Sequence, residues 1–379
     1  MTYAITGSAM KTSLGEDKCT CFESLCSGHS GRKRLQAFTA DHFNVRNAYE
    51  IDDRPGGIDR ALRATELLCD AVQAAVREAA LPPDARCVVV VGTGLRELRT
   101  LELFWTVGTP MTIDQLHFER ALNRRLHTSF PVITLANACS ASSFALAVAE
   151  DFLRDGAFDF AIVGGCDTIT KSMFGLLDRV NPSHPDAVRP FDRDRRGVLM
   201  GDGAAAVILE SRASANARGA PVLATLRAVG TSCDAAHETA PDPAGIARAI
   251  EDAYQRAGVA PEDIDIIMAH GTGTPLNDKA EAEAMQRVMR QHVSHPRICA
   301  MKSMTGHTSG ASGLVGVVTA IEAIECGMLP PTVGLEHLMP EAHAMNIVNE
   351  ATPVNARLAQ VNAFGFGGVN AVAILECES

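Results

Sequence analysis

Cys139 stands in the run PVITLANACSASSFALAVAEDF, where an apolar, β-branched stretch (131–135) gives way to apolar residues at helical spacing (144–153). The pattern predicts a buried strand, a turn and a helix, with the cysteine at the junction. Small residues surround it, Ala136, Ala138, Ser140, Ala141 and Ser142, so a substrate can approach the backbone. Free N–H groups at a helix start favour a thiolate over a thiol, so the position suits a nucleophile. A buried thiol used as a small hydrophobe is the alternative. Two histidines favour the nucleophile. His270 closes an apolar stretch just before Gly271-Thr272-Gly273-Thr274-Pro275, and His307 opens the run HTSGASGLVGVV, which echoes the Cys139 segment. Together they point to a Cys/His/His site.

Further groups lie close in sequence. Lys302 precedes His307, and Asp278 and Glu281 lie one helical turn apart in NDKAEAE, either as part of the site or as a solvated, acidic helix start. The tail NAFGFGGVNA (362–371) offers backbone N–H groups among Gly365, Gly367 and Gly368 that suit a close turn at an oxyanion, or a plain turn between strands. Neither GxGxxG nor GxxxxGK[ST] occurs, so no nucleotide cofactor is expected. Cys19, Cys21, Cys26 and His29 cluster without a zinc spacing, and no metal is expected.

The elements that must position these residues repeat. A strand at 3–6, an amphipathic helix at 58–80 stopped by Pro82-Pro83, and a strand at 87–91 running into Gly92-Thr93-Gly94 lead to the Cys139 strand and helix. Strands at 158–164 and 204–210 follow. Residues 95–129 are helical but irregular, with Phe104 and Trp105 as an aromatic contact. The second half repeats the order: strand 222–229, helix 244–257, strand 265–269, then Gly271-Thr272-Gly273. GHTSGASG then matches the Cys139 segment, and GDGAAAVILE is echoed by FGGVNAVAILE. Three ordered echoes at about half the chain length imply a duplicated α/β unit with its site where the halves meet.

Composition sets outer bounds. With 379 residues and 46% hydrophobic content, the chain can bury a large core. A net charge of −11, with only Arg32-Lys33-Arg34 as a basic run, gives no nucleic-acid footprint. Neither a signal-like N-terminus nor a long uncharged apolar span is found, so a soluble, cytoplasmic protein away from membranes is expected. Eleven cysteines, mostly isolated within core segments, suit free thiols in a reducing compartment.

Five motifs together resemble the β-ketoacyl-acyl carrier protein synthases, the ketosynthases of fatty acid and polyketide assembly in the thiolase superfamily. They are NACSAS around Cys139, RPFDRDRRGVLMGDGAAAVILE from Arg189, AHGTGTPLNDKAEAE from Ala269, MKSMTGHTSGASG from Met301 and NAFGFGGVNA from Asn362. The resemblance is to the Cys-His-His elongating type. It implies a thiolase-like fold in which two pseudo-symmetric βαβαβ halves, 1–215 with Cys139 and 216–379 with His270 and His307, form a layered α/β/α/β/α core. It further implies that Cys139 holds an acyl chain as a thioester, while His270 and His307 stabilise the enolate formed when a malonyl extender on an acyl carrier protein loses carbon dioxide. Lys302 and Glu281 would order the histidines, the N–H groups of Cys139 and Phe366 would form the oxyanion hole, Thr272 and Thr274 would bind pantetheine, and Phe364 and Phe366 would gate the cysteine. No cofactor is implied beyond the phosphopantetheine that carries the substrates.

By the same resemblance the strand at 131–135 pairs across a twofold axis, in a homodimer or in a heterodimer with a ketosynthase-like subunit. Residues 94–131 are shorter than in housekeeping enzymes and lack their glycine- and proline-marked run, which favours a specialised polyketide pathway. Carrier docking is expected at Arg60, Arg124, Arg125 and Arg189, with Arg54, Arg63 and Arg193 as further candidates. An acyltransferase that passes the acyl group from Cys139 to an oxygen, nitrogen or sulfur nucleophile without decarboxylation is the alternative. A chain-length partner subunit is another, against which the intact cysteine and histidines argue.

Overall fold

The computed structural model of the chain describes residues 2–54, 58–181 and 183–377. Its framework is an eleven-stranded mixed sheet. From one edge the strands run Asn346–Ile347, Arg297–Cys299, Ile266–Met268, Leu358–Gly365, Val369–Glu376 and Ala224–Cys233, and then Tyr3–Thr12, Gly203–Ser211, Phe160–Asp167, Cys87–Gly92 and Val132–Leu135. Tyr3–Thr12 and Ala224–Cys233 pair antiparallel at the centre. Outward from that pair the two sides read alike. On each side two antiparallel partners are followed by two parallel ones, drawn from the same places in each half's chain order. The duplication expected from the sequence is thus present in the topology, with Asn346–Ile347 added at one edge.

Periodicity explains the layers. Helix Arg63–Ala79 turns Ala64, Leu67, Leu68, Ala71, Val72 and Ala75 inward onto one side of the sheet, and helices Pro243–Ala257 and Pro275–Met289 cover the other. Between them lie Ala141–Arg154, buried along one face, and Ser312–Glu325, buried nearly all round, both in the largest apolar cluster. Strands under two such layers need no polar face, hence the run Val88–Val91, of which each residue is fully buried. Each of those side chains contributes roughly 1.5–3 kcal/mol by leaving water. Among the described residues no helix is long and apolar enough to cross a membrane.

Two expectations are corrected. The helix placed at 58–80 starts only at Arg63, because Leu62 is left-handed (φ 60) and its N–H donates to the Thr100 hydroxyl at 2.7 Å. The repeat is also shifted. A 3₁₀ turn precedes each central helix, Ala138–Ser140 in one half and Ser309–Ala311 in the other, so Gly310 rather than His307 stands where Cys139 does. Ala138 (φ 56) and Ser309 (φ 46) are left-handed in both turns.

Candidate active site

Cys139 sits on a strained elbow. Alanine has no preference for the left-handed region, so the conformation of Ala138 must be imposed by packing. Gly92 shows how close that packing is: a Cβ there would lie 2.3 Å from the Ala141–Ser142 backbone. The thiol is half-buried, open to a cavity yet walled by protein. Burial pushes it up to about 11, against the pull of the Lys302 ammonium and a hydrogen bond from the Phe366 N–H. The helix start alone therefore does not prepare a thiolate. Burial outweighs it, and the resting residue is a thiol.

Strand Leu358–Gly365 brings the glycine-rich turn against this elbow. Gly365 lies against the elbow, where a Cβ would stand 3.2 Å from Ser140 Oγ and 3.4 Å from the Cys139 nitrogen, and Gly367 (φ 82) and Gly368 (φ 74) supply the left-handed turn. The N–H groups of Cys139 and Phe366 both address the sulfur. Phe366 is exposed at the mouth, whereas Phe364 is buried with its ring 5.6 Å from that of His270.

The two imidazoles meet edge to face, 5.5 Å between centroids. Each has Nδ1 occupied from the protein side. The Ser309 N–H donates to His307 Nδ1 at 3.2 Å, and the Ser312 hydroxyl lies 3.0 Å from the same nitrogen; since a backbone N–H can only donate, that ring's proton is on Nε2. Lys302 Nζ lies 3.4 Å from His270 Nδ1 and also donates to the His270 carbonyl. Burial, reinforced by the Lys302 charge, holds both histidines well below their ordinary pKa, so both are neutral. Burial also lowers Lys302 to about 8, although Glu281 favours its charge.

Glu281 acts on His270 through the backbone. Its carboxylate accepts from the N–H of His270 at 2.7 Å, the N–H of Gly271 at 2.8 Å and the Asn362 amide at 3.0 Å. Glu281 and Lys302 thus grip opposite ends of the His270 residue. Asp278, pushed up to about 6 by burial, accepts from the N–H groups of Phe191 and Gly273. The acidic pair is therefore buried scaffolding, not a solvated helix start.

The cavity holds about 580 Å³ and is lined by Cys139, His270, His307, Thr272, Thr274, Phe364 and Phe366 among others. The hydroxyls of Thr272 and Thr274 lie 2.8 Å apart, and Thr274 caps the following helix. Its apolar wall comes from Met173, Leu177 and Val180 on helix Lys171–Val180, with Val198 and Met200. Sequence reasoning missed this helix, although Thr170 is a capping residue and apolar residues recur at 173, 174, 177 and 180.

The proposed docking arginines are mostly engaged elsewhere. Arg54 and Arg63 are buried in ion pairs with Asp202, and Arg60 pairs with Asp53 and Glu66. Arg125 pairs with Asp70. Arg124 is exposed, but neither it nor Arg60 nor Arg125 lines the cavity. Arg193 is exposed beside Asp194, and Arg189 is half-buried with its backbone against Gly273, between the two threonines.

Similarity to known proteins agrees with this geometry. Residues 3–215 match the "Beta-ketoacyl synthase, N-terminal domain" and residues 223–336 the "Beta-ketoacyl synthase, C-terminal domain". The "3-oxoacyl-[acyl-carrier-protein] synthase 2" of Mycobacterium tuberculosis is 32% identical over 397 aligned positions, covering 97% of this chain and 95% of that protein. The "Tetracenomycin polyketide synthase ketoacyl synthase alpha subunit" of Streptomyces glaucescens is 29% identical, covering 98% and 96%. Among solved structures, "The ishigamide ketosynthase/chain length factor" superposes with a TM-score of 0.90 at 34% identity, covering 100% of this chain and 99% of that one. The fold is thiolase-like, and the chain belongs to the β-ketoacyl synthase family of acyltransferases.

Proposed function

We propose that this chain elongates an acyl group held on Cys139 with a malonyl unit delivered by an acyl carrier protein, and that the buried residues divide the work as follows. Cys139 sulfur attacks the carbonyl of an acyl-phosphopantetheine thioester. The oxyanion is held by the N–H groups of Cys139 and Phe366, and the pantetheine thiol leaves with the proton. Malonyl thioester then enters past Thr272 and Thr274. Its carbon–carboxylate bond breaks, carbon dioxide departs, and the electron pair becomes an enolate whose oxygen accepts from His270 and His307. The enolate carbon attacks the acyl thioester, and collapse of the adduct expels the cysteine, which takes up a proton.

The observation that carries this reading is the occupied Nδ1 of each neutral imidazole, which leaves Nε2–H as the donor on the cavity side. Two neutral donors at one oxygen suit an enolate, whereas proton abstraction would need a free acceptor nitrogen. The division into halves 1–215 and 216–379 fits this scheme, one half supplying the nucleophile and the other the donors. We assign dimerisation to the open edge of Val132–Leu135, where the last strand of the sheet has no partner on one side among the described residues. A homodimer and a ketosynthase/chain-length-factor pair would both use it.

Intact-mass analysis after exposure to an acyl-phosphopantetheine thioester tests the assignment. Wild type, His270→Ala and His307→Ala should all become acylated and Cys139→Ala should not. The histidine variants should lose carbon dioxide release and condensation by ~10²–10³-fold. An acylated Cys139→Ala protein would refute the nucleophile. Acyl transfer without any release of carbon dioxide would favour the non-decarboxylating alternative.

A further inference from the structure

Asp167 ends strand Phe160–Asp167, fully buried, and takes no part in the scheme above. Its carboxylate accepts four hydrogen bonds. One oxygen accepts from Thr93 Oγ1 and the Leu95 N–H, both at 2.8 Å, and the other from the Gly94 N–H at 2.7 Å and the Gly310 N–H at 2.6 Å. Three donors belong to the loop after Cys87–Gly92, and the fourth belongs to the other half of the molecule.

Gly310 occupies the place that Cys139 has in the first half, and Asp167 ends its strand where Gly365 ends the equivalent one. Each strand end therefore serves the elbow of the opposite half: Gly365 packs on the Cys139 nitrogen, and Asp167 binds the Gly310 N–H. The consecutive N–H groups of Ser309 and Gly310 then point to two different acceptors across the left-handed Ser309, one to His307 Nδ1 and one to Asp167. Gly310 allows this approach because a Cβ would fall 2.4 Å from the Gly94 nitrogen. Gly94 and Ser309 also line the cavity.

We propose that Asp167 is a positioning residue for His307: by fixing the Ser309–Gly310 elbow it keeps the Ser309 N–H on Nδ1 and so keeps the His307 proton on Nε2, toward the substrate. The inference rests on reading His307 as an enolate donor. A carboxylate at this place also opposes ionisation of Cys139. Removing it should therefore ease thiol chemistry while harming decarboxylation, a split that general loosening of the fold would not produce.

The test compares Asp167→Ala and Asp167→Asn with wild type and His307→Ala in three measurements: alkylation or acylation of Cys139, carbon dioxide release from malonyl carrier protein, and the imidazole nitrogen spectrum of histidine-labelled enzyme. Asp167→Ala should alkylate at least as fast as wild type, lose decarboxylation by ~10–10²-fold, and show His307 no longer confined to the Nε2–H tautomer. Asp167→Asn can still turn its oxygen to Gly94 and Gly310 and should lose less. Should Asp167→Ala not fold, a fall in Asp167→Asn confined to decarboxylation supports the proposal. Equal losses in both reactions, or decarboxylation unchanged with an unchanged tautomer, would overturn it. If His307→Ala itself decarboxylates normally, the donor reading fails instead, so the two failures are distinguishable.

Discussion

At the scale of single residues, burial decides protonation, and its direction differs for thiol and imidazole. Desolvation penalises whichever form is charged, so it raises Cys139 and lowers His270 and His307. For the thiol, alkylation by iodoacetamide should keep climbing with pH beyond 9, toward about 11, instead of levelling near an ordinary cysteine value. Lys302→Met removes the ammonium that pulls the other way and should slow alkylation at a fixed pH below about 8, where Lys302 is charged; a faster reaction there would contradict that assignment. For the imidazoles the sign is opposite. Since their folded pKa values lie below the unperturbed 6.5, they remain neutral as pH falls through 6.5. Malonyl decarboxylation by wild-type enzyme should therefore show no acid limb centred there. A midpoint near 6.5 would mean that the rings titrate freely only if the histidine nitrogen spectrum moved with it, since burial pushes the Asp167 and Asp278 carboxyls up to about 6.

At the scale of elements, much of the architecture was legible because periodicity and punctuation agree. The strand, elbow and helix around Cys139 follow from a β-branched run, small residues and helical spacing, and the glycine-rich tail forms the expected turn. What the sequence hid were relations across space. The repeat placed His307 opposite Cys139, whereas Gly310 holds that place, because a glycine paired with a cysteine leaves no trace in residue type. Asp167 gave no signal either, since its partners are mostly backbone N–H groups. The hidden elbow yields a prediction. Gly310→Ala would press a methyl group to 2.4 Å from the Gly94 nitrogen and 2.5 Å from the Thr93 carbonyl carbon, both backbone atoms that cannot rotate away. It should cost about 1–3 kcal/mol, as overpacking does, read as a lower unfolding midpoint in denaturant at unchanged slope. Unchanged stability would show that the elbow is soft and not a rigid support for His307.

At the scale of the whole molecule, the cavity opens where the halves meet, and what reaches it must cross a surface of net charge −11. An acidic carrier protein is repelled at long range, so a local basic rim must guide it over the ~8 Å within which charges act at physiological salt. The sequence could not separate guiding arginines from paired ones, because pairing depends on acids far along the chain, such as Asp70 for Arg125 and Asp202 for Arg63. The structure redirects the choice to arginines beside the cavity wall. Arg179 precedes Val180 on helix Lys171–Val180, and Arg196 lies two residues before Val198; both are exposed and neither forms an ion pair among the described residues. Exposed Leu176 and Val180 lie on the same helix as Arg179, and Leu276 is exposed on helix Pro275–Met289, where it lines the cavity with Val180. Reversing Arg179 and Arg196 to glutamate should raise the apparent KM for malonyl carrier protein and steepen its dependence on low ionic strength. Acylation by a small pantetheine thioester should be untouched, since that donor needs no protein surface. The same reversal at Arg60 and Arg125 should lower stability, because it breaks existing pairs, with little selective effect on the carrier. If both donors suffer equally from Arg179→Glu and Arg196→Glu, the arginines support the cavity wall and guidance must come from Arg189 or Arg193 on the neighbouring loop.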